Sequence, residues 1–486
     1  MGIVGNLCCK FGSLKMKNRV KYFFAALAII ALIIFVMLEF MSRSATEIFN
    51  KTMQEQEMLN GTITVEKIQA TVTGEITFDN LIWKDNRGGT ILDIPAGSFK
   101  VKLLDVLTGN FKSSTITELQ LAGASISLNL DENMNVDFIR HSPDFKKVKD
   151  EMKSNGDSWE KQVSRVNKTE EELKEIGERR RRLQQSKIEK GWKNFNVEGN
   201  KLNLSLRLEN CNVEVFFRER HYLLRGVEVE SNINTDDEMT LKFYSGKFGG
   251  TMIGRGVSMN GKIDFKPDIP QCDLSIQFKD VDPSSLGFGL NIHDEMTLLA
   301  HFTGPVSRPI GKGKVQLNNL NLPGISFENV EGNILYEDAM LNFKDVTADV
   351  YGGKLAAYGD YNMDTRYYNI YGQGDKLKAS KALPNGHLHC DVKLNITMQS
   401  KGNAKETVTF GDFVSDKGRY SVVFFDRISG KFRSEYGAIN FYDVAIDMSS
   451  GYKVRSDALS IVDGKLSFAP INITNEKGEL IRTVEH

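Results

Sequence analysis

Leu202-Asn-Leu-Ser-Leu-Arg-Leu208 sets apolar and polar residues in strict alternation. Successive side chains of a β-strand point to opposite faces, so Leu202, Leu204, Leu206 and Leu208 line one face and Asn203, Ser205 and Arg207 the other. The pattern continues along the chain. Val213, Val215 and Phe217 alternate with Glu214 and Phe216, and Leu274, Ile276 and Phe278 with Ser275 and Gln277. Val315 and Leu317 flank Gln316, and Tyr420, Val422 and Phe424 form another set. Upstream, Ile126, Leu128 and Leu130 alternate with Ser127 and Asn129. Residues 196–486 contain no convincing amphipathic helix. A sheet with one apolar face must bury it. With helices scarce, the cover is a second sheet, closure of the sheet on itself, or an apolar ligand.

Two phrases recur. Phe248-Gly-Gly-Thr-Met-Ile-Gly-Arg-Gly256 matches Tyr351-Gly-Gly-Lys-Leu-Ala-Ala-Tyr-Gly359, and Asn342-Phe-Lys-Asp-Val-Thr-Ala-Asp349 matches Asn440-Phe-Tyr-Asp-Val-Ala-Ile-Asp447. Together they predict a mainly β chain whose duplicated units stack into an elongated antiparallel sheet. The glycines serve either strong curvature or ordinary hairpin turns. Strand-and-turn units of about 11 residues predict about 30 strands in all.

Residues 141–195 interrupt the strands. Residues 144–194 within it are dense in charge and lack proline, with Trp159, Val163 and Val166 at helical spacing and Leu173, Ile176 and Leu183 continuing a narrow stripe. We read one or two exposed helices packed along one seam. Arg179 to Arg182 either spread around a solvated helix or contact anionic headgroups.

Tyr22 to Leu38 carries no charge and no proline, and with its flanks it is long enough to cross a bilayer. Lys10, Lys15, Lys17, Arg19 and Lys21 precede it, whereas Arg43 and Lys51 follow. Such an excess of cations on the N-terminal side predicts a cytoplasmic N-terminus and an extracytoplasmic bulk. The expected organisation is a cytoplasmic segment (1–21), a transmembrane anchor (22–40), a juxtamembrane helix (41–60), an N-terminal β module (61–140), the charged helical insertion (141–195) and a β-repeat domain (196–486). Met1 and Met16 are both possible starts.

Lys and Arg number 62 against 63 Asp and Glu, a net charge of −1, which excludes a global pull toward nucleic acid. Cys8, Cys9, Cys211, Cys272 and Cys390 do not spell a disulfide framework. His387-Leu-His389-Cys390 is the densest His/Cys cluster, and it falls short of the three or four ligands that a zinc site needs. No nucleophile elbow, phosphate loop or H-E-x-x-H motif is present. The expectation is a protein without enzymatic activity, metal or cofactor.

Residues 61–140 resemble the AsmA/TamB family. Ile76-Thr-Phe-Asp-Asn-Leu-Ile-Trp-Lys-Asp85 is similar to that family's first hairpin strand, and Leu92-Asp-Ile-Pro-Ala-Gly-Ser-Phe-Lys-Val-Lys-Leu103 to the next. Leu104, Leu107 and Gly109-Asn-Phe111 resemble its L-L-x-G-x-F turn, and Ile116 to Leu130 the strand after it. Asn133 to Asp137 resembles the D-G-x-x-N turn, with Asn133-Met134 in place of Asp-Gly. The resemblance implies an inner-membrane anchor and a periplasmic β-taco, a curved sheet around an apolar groove that moves phospholipid between inner and outer membranes. Its expected lining is Ile126, Leu128, Leu130, Leu202, Leu204, Leu206, Leu208, Val213, Val215, Leu274, Ile276, Phe278, Val315 and Leu317. The expected partners are phospholipid, the membrane, and an outer- or inner-membrane protein. The alternative is a scaffold for outer-membrane proteins, acting by strand addition at a sheet edge.

Overall fold

A computed structural model describes residues 61–130, 168–197 and 201–485 apart from short segments, the longest being 109–113, 287–291 and 402–406, together with Thr46, Asn50 and Gln54. The expected anchor, 22–40, lies outside the described residues, as do Trp159, Val163 and Val166. Among the described residues no helix is long and apolar enough to cross a membrane. They contain 27 strands, close to the number expected. The chain is mainly β and mostly antiparallel, and it divides into two compact units: Met1–Leu290 with Thr297–Ile310, and Asn291–Met296 with Gly311–His486.

The first unit begins with β1 (Thr62–Thr64) and β2 (Lys67–Ala70), which both pair with β3 (Glu75–Lys84). Asn50, in helical conformation, is tied to this start: its side chain accepts from the Val65 amide (2.8 Å) and donates to the Val65 carbonyl (2.9 Å). β4 (Thr90–Val101) pairs with β3, then with β5 (Ile116–Ala122) and, past a break at Gly123-Ala124, with β6 (Ser125–Leu130). The helix α1 (Glu170–Val197) follows. Its start is a capping box: the Thr169 amide donates to Glu172 Oε2 (2.7 Å) and the Glu172 amide to Thr169 Oγ1 (3.3 Å).

After α1, β7 (Asn203–Phe217) pairs with β5 and β6 in parallel, not antiparallel as expected. A tight hairpin can only reverse a chain. The long connection that contains α1 lets β7 run in the same direction as β6. β8 (Arg220–Asn234), β9 (Glu238–Gly250), β10 (Gly256–Asp264) and β11 (Gln271–Val281) then form an antiparallel meander from β7. A 3-10 turn at Pro283–Leu286 leads on to β12 (Met296–Pro305).

α1 lies against this unit. Leu173, Ile188 and Trp192 are buried, and Trp192 stacks on Phe265 with ring centroids 4.9 Å apart. Leu183, expected on the buried stripe, is exposed, because the buried face follows 173, 177, 188 and 192 and residue 183 points away from it. Arg179, Arg180 and Arg182 are exposed and Arg181 is half-buried, as four adjacent helical positions must be.

The second unit runs through β13 (Ile310–Leu322), β14 (Ile325–Glu337), β15 (Met340–Val350), β16 (Gly353–Asn362) and β17 (Tyr367–Lys378), each antiparallel to the next. A single helical turn, α2 (Ala379–Ala382), and the two-residue β18 (Leu388–His389) precede β19 (Asp391–Lys401), which pairs with β17. β20 (Val408–Ser415) pairs with β19. The short β21 (Gly418–Tyr420) pairs with β18 and forms a hairpin with β22 (Val423–Glu435), which also continues the ladder from β20. β23 (Ala438–Met448) and β24 (Lys453–Val462) follow, and β24 pairs with β25 (Lys465–Phe468) and β26 (Ile471–Thr474). β27 (Leu480–Val484) pairs with β26.

The long strands share a device. Asn80, Asn210, Gly226, Asp280, Asn329, Asp345, Lys376 and Asp443 all have a positive φ between 48° and 56° within strands. Each is followed by an apolar residue: Leu81, Cys211, Val227, Val281, Val330, Val346, Leu377 and Val444. Asn, Asp and Gly tolerate this left-handed conformation best. Several sit where the register slips, and a bulge adds one residue to one strand and bends it. The repeated phrase is one instance: Asp345 (φ 52°) and Asp443 (φ 53°) hold the same place in its two copies. In the other phrase, Tyr351 and Gly352, both at positive φ, make a two-residue hairpin loop between paired Val350 and Gly353.

Candidate lipid-binding face

A bulge changes which residues share a face. In β15, Leu341 and Phe343 turn inward at odd positions. After the bulge at Asp345 the inward residues are Val346, Ala348 and Val350, at even positions. β7 changes likewise at Asn210, so Leu204 and Leu208 stand on the same side as Cys211 and Val213.

Most of the expected lining residues are covered by other side chains of this chain. Leu204 is buried with Ile76, Phe78, Ile94, Phe99 and Cys211, and Leu208 and Val213 pack against that cluster half-buried. Ile276 and Phe278 are buried with Tyr222, Phe248 and Val257, and Val215 packs on them. Leu274 is buried with Ile263 and Cys272 next to Phe265, the ring on which Trp192 of α1 stacks. Val315 and Leu317 are buried with Val330 and Ala348. Ile126, Leu128, Leu202 and Leu206 are half-buried, and the side chain of Leu130 lies outside the described residues. These alternating runs are therefore largely self-packed, and α1 supplies part of their cover.

The later strands of the second unit differ. From β17 to β26 one face carries Ile370, Leu394, Ile396, Met398, Phe413, Phe432, Phe441, Ile446, Val454, Leu459, Ile471 and Ile473, and every one is half-buried. The ladder fixes them on one side: Ile370 stands opposite Met398, Leu394 opposite Phe413, Phe432 opposite Phe441, Phe441 opposite Leu459, and Val454 opposite Ile473. None of them joins a buried cluster. Large residues alternate with glycine across the strands, as in the rung Gly372, Ile396, Gly411 and Phe432. A Cβ on Gly372 would lie 2.9 Å from Ile396 Cγ2, and one on Gly430 would lie 2.9 Å from Phe413 Cζ. Large side chains thus lie flat over the glycine of the adjacent strand. The opposite face is mixed: Tyr371, Phe410 and Val414 stand on it among polar residues, with Asn395 Nδ2 donating to Asp412 (3.0 Å) and Lys431 Nζ to Asp443 (2.9 Å). The alternation Val392-x-Leu394-x-Ile396-x-Met398 was present in the sequence as the signal for this face.

Tyr420, Val422 and Phe424 do not share a strand face as expected. Ser421 and Val422 form the loop of the β21–β22 hairpin, with Ser421 at φ 52°, and the turn breaks the alternation.

Two polar arrangements bear on chemistry. Ser275 Oγ lies 3.0 Å from His301 Nδ1, and His301 Nε2 lies 3.3 Å from Asp273 Oδ1. The order Ser–His–Asp matches a nucleophilic triad, but His301 and Asp273 are about half exposed, on an open polar strand face. Among the described residues no group of three His, Cys, Asp or Glu is placed to hold a metal ion. Cys211 and Cys272 are buried outside any disulfide and Cys390 is half-buried, and burial pushes the Cys211 and Cys390 thiols up from their ordinary values.

No protein-family model, no curated protein and no solved structure matches the chain.

Proposed function

We propose that this protein binds phospholipid acyl chains on the β17–β26 face and passes them between the inner and outer membranes of a cell envelope. In this reading residues 22–40 anchor it in the inner membrane and the β units stand in the periplasm. The observation that carries the reading is the row of half-buried apolar residues from Ile370 to Ile473, none of which belongs to the buried clusters of the described residues. Burying a methylene gains about 0.8 kcal/mol, so an acyl chain laid across several rungs would be held by its own desolvation. Flat-lying Ile396, Phe413 and Phe432 offer a smooth surface, suited to a ligand that slides. The repeated bulges support curvature of the sheet toward this face, since each bends its strand.

A photoreactive benzoylphenylalanine at Met398 tests this. The reading expects a phospholipid adduct by mass spectrometry, with little or none from the same group at Thr397 on the opposite face. Equal labelling at both positions, or none, would defeat it.

One observation favours the alternative, an assembly scaffold. β27 has only β26 as a described neighbour and carries exposed Leu480 and Ile481. Such an edge can accept a strand from an outer-membrane protein.

A further inference from the structure

The β21–β22 hairpin presents six consecutive exposed residues, Arg419 to Phe424, at one end of the second unit's sheet. Tyr420 is 57% exposed, Val422 82% and Phe424 62%. Two-residue hairpin loops ordinarily use Asn-Gly or similar residues, yet here a serine takes the positive φ and a valine occupies the apex. The hairpin is firmly held below the tip. Phe425 is 2% exposed. A Cβ on Gly418 would lie 2.4 Å from the His389 carbonyl and 2.7 Å from Phe425 Cζ, so β21 is packed closely against β18 and the Phe425 ring. The Ser421 amide donates to the His387 carbonyl (2.9 Å). The apolar tip is thus presented on a fixed base.

The charge beside it is positive. Arg419 stands opposite Phe424 in the ladder. Its Nη1 donates to the Ser421 carbonyl (3.1 Å), and among the described residues no carboxylate pairs with it. Lys417, at the other end of β21, is paired with Asp426 (3.6 Å).

We propose that this hairpin tip inserts into the interfacial region of a lipid bilayer, with Val422, Val423 and Tyr420 at the acyl boundary and Arg419 on anionic headgroups. Strand rise sets the layering: Arg419 lies two to three residues from the apex, about 7 Å at about 3.4 Å per residue. That matches the depth of about 5–10 Å to which interfacial segments bury their apolar side. Tyrosine belongs at that boundary, with an apolar ring and a polar hydroxyl. A convex two-residue wedge suits a deformable bilayer, whereas a protein partner would need a matching socket. The inference rests on the hairpin and does not require lipid on the β17–β26 face.

The test uses the full chain reconstituted in nanodiscs and mixed with vesicles of phosphatidylcholine alone or with 30% phosphatidylglycerol. Wild-type discs are expected to co-float with the anionic vesicles beyond empty discs. Val422→Ser with Val423→Ser should reduce this at least tenfold with an unchanged thermal melt. Arg419→Gln should remove the preference for phosphatidylglycerol. Absence of co-flotation by the wild type, or equal co-flotation by the double variant, overturns the inference. So does a benzoylphenylalanine at position 422 that labels polypeptide and not phospholipid. Lipid co-purifying with the double variant would leave the β17–β26 reading intact, which separates the two failures.

Discussion

Removing one residue from a strand ordinarily sends every later side chain to the wrong face. Asp345 should be an exception. It is the extra residue of β15 against both neighbours, since Lys344 and Thr347 flank the slip against β14, and Phe343 and Val346 flank it against β16. Deleting Asp345 makes the β16 ladder regular, removes one of the two slips against β14, and keeps Leu341, Phe343, Val346, Ala348 and Val350 on one side. What is lost is the bend and the hydrogen bond from Asn333 Nδ2 (3.3 Å), about 1 kcal/mol. Deleting Thr347, two residues later, leaves Val346 inward but turns Ala348 and Val350 out and brings Asp349 in. Val350 alone is worth about 1.5–3 kcal/mol when buried, and an uncompensated buried carboxylate costs several kcal/mol more. The sum is a large share of the roughly 5–15 kcal/mol that holds a domain together. Urea unfolding of the full chain followed by circular dichroism, with amide exchange read over 311–486, distinguishes the two. The deletion of Asp345 should fold with near-normal protection, and that of Thr347 should abolish protection of β14 to β16. Equal damage from both deletions would refute the account of the bulges.

The buried and half-buried faces should respond differently to charge. Ile276→Asp, inside a packed cluster, should unfold the first unit and make it protease-sensitive, whereas Ile396→Asp should leave the melting temperature of the second unit within a few degrees of wild type. Acid should weaken two surface pairs. Lys314 holds the Glu331 carboxyl below its ordinary value, and Lys354, with Asn329, holds that of Asp349 below its own. A depressed carboxylate adds stability above its unfolded pKa and loses it as pH falls through the folded one. The small loss of melting temperature caused by Lys314→Gln at pH 7 should therefore shrink as the pH falls below the ordinary carboxylate range and through the depressed value of Glu331. Cys211 should resist a thiol reagent until the protein is unfolded, and Cys390 should react more slowly than a free thiol at pH 8, both read by absorbance.

Alternation made the strands legible, since Leu202 to Leu208 and Leu274 to Phe278 can each present one apolar face only if extended. It could not show where the parity changes. Lys344-Asp345-Val346 reads in sequence as two polar residues before an apolar one, and the left-handed φ that makes it a bulge is a backbone choice. Ser421 hid the turn below Val422 in the same way. The parallel pairing of β7 was illegible because strand direction is set by the length and path of the connection, not by local pattern. Ile188 and Trp192 carried the true buried side of α1 at i, i+4 spacing, and Thr169 to Glu172 its cap. Leu204, Ile276 and Leu317 were legible as apolar and inward. Whether an inward residue meets protein or lipid depends on which distant strands and helix fold over it, and that is a property of the tertiary structure.

The central claim is that the β17–β26 face holds lipid. Native mass spectrometry of the full chain, extracted in mild detergent, addresses it directly. Wild type should carry bound phospholipid, and Ile396→Asp with Phe432→Asp should lose it while the circular dichroism spectrum stays unchanged. A lipid-free wild type, or a double variant that carries as much phospholipid as wild type, would contradict the claim.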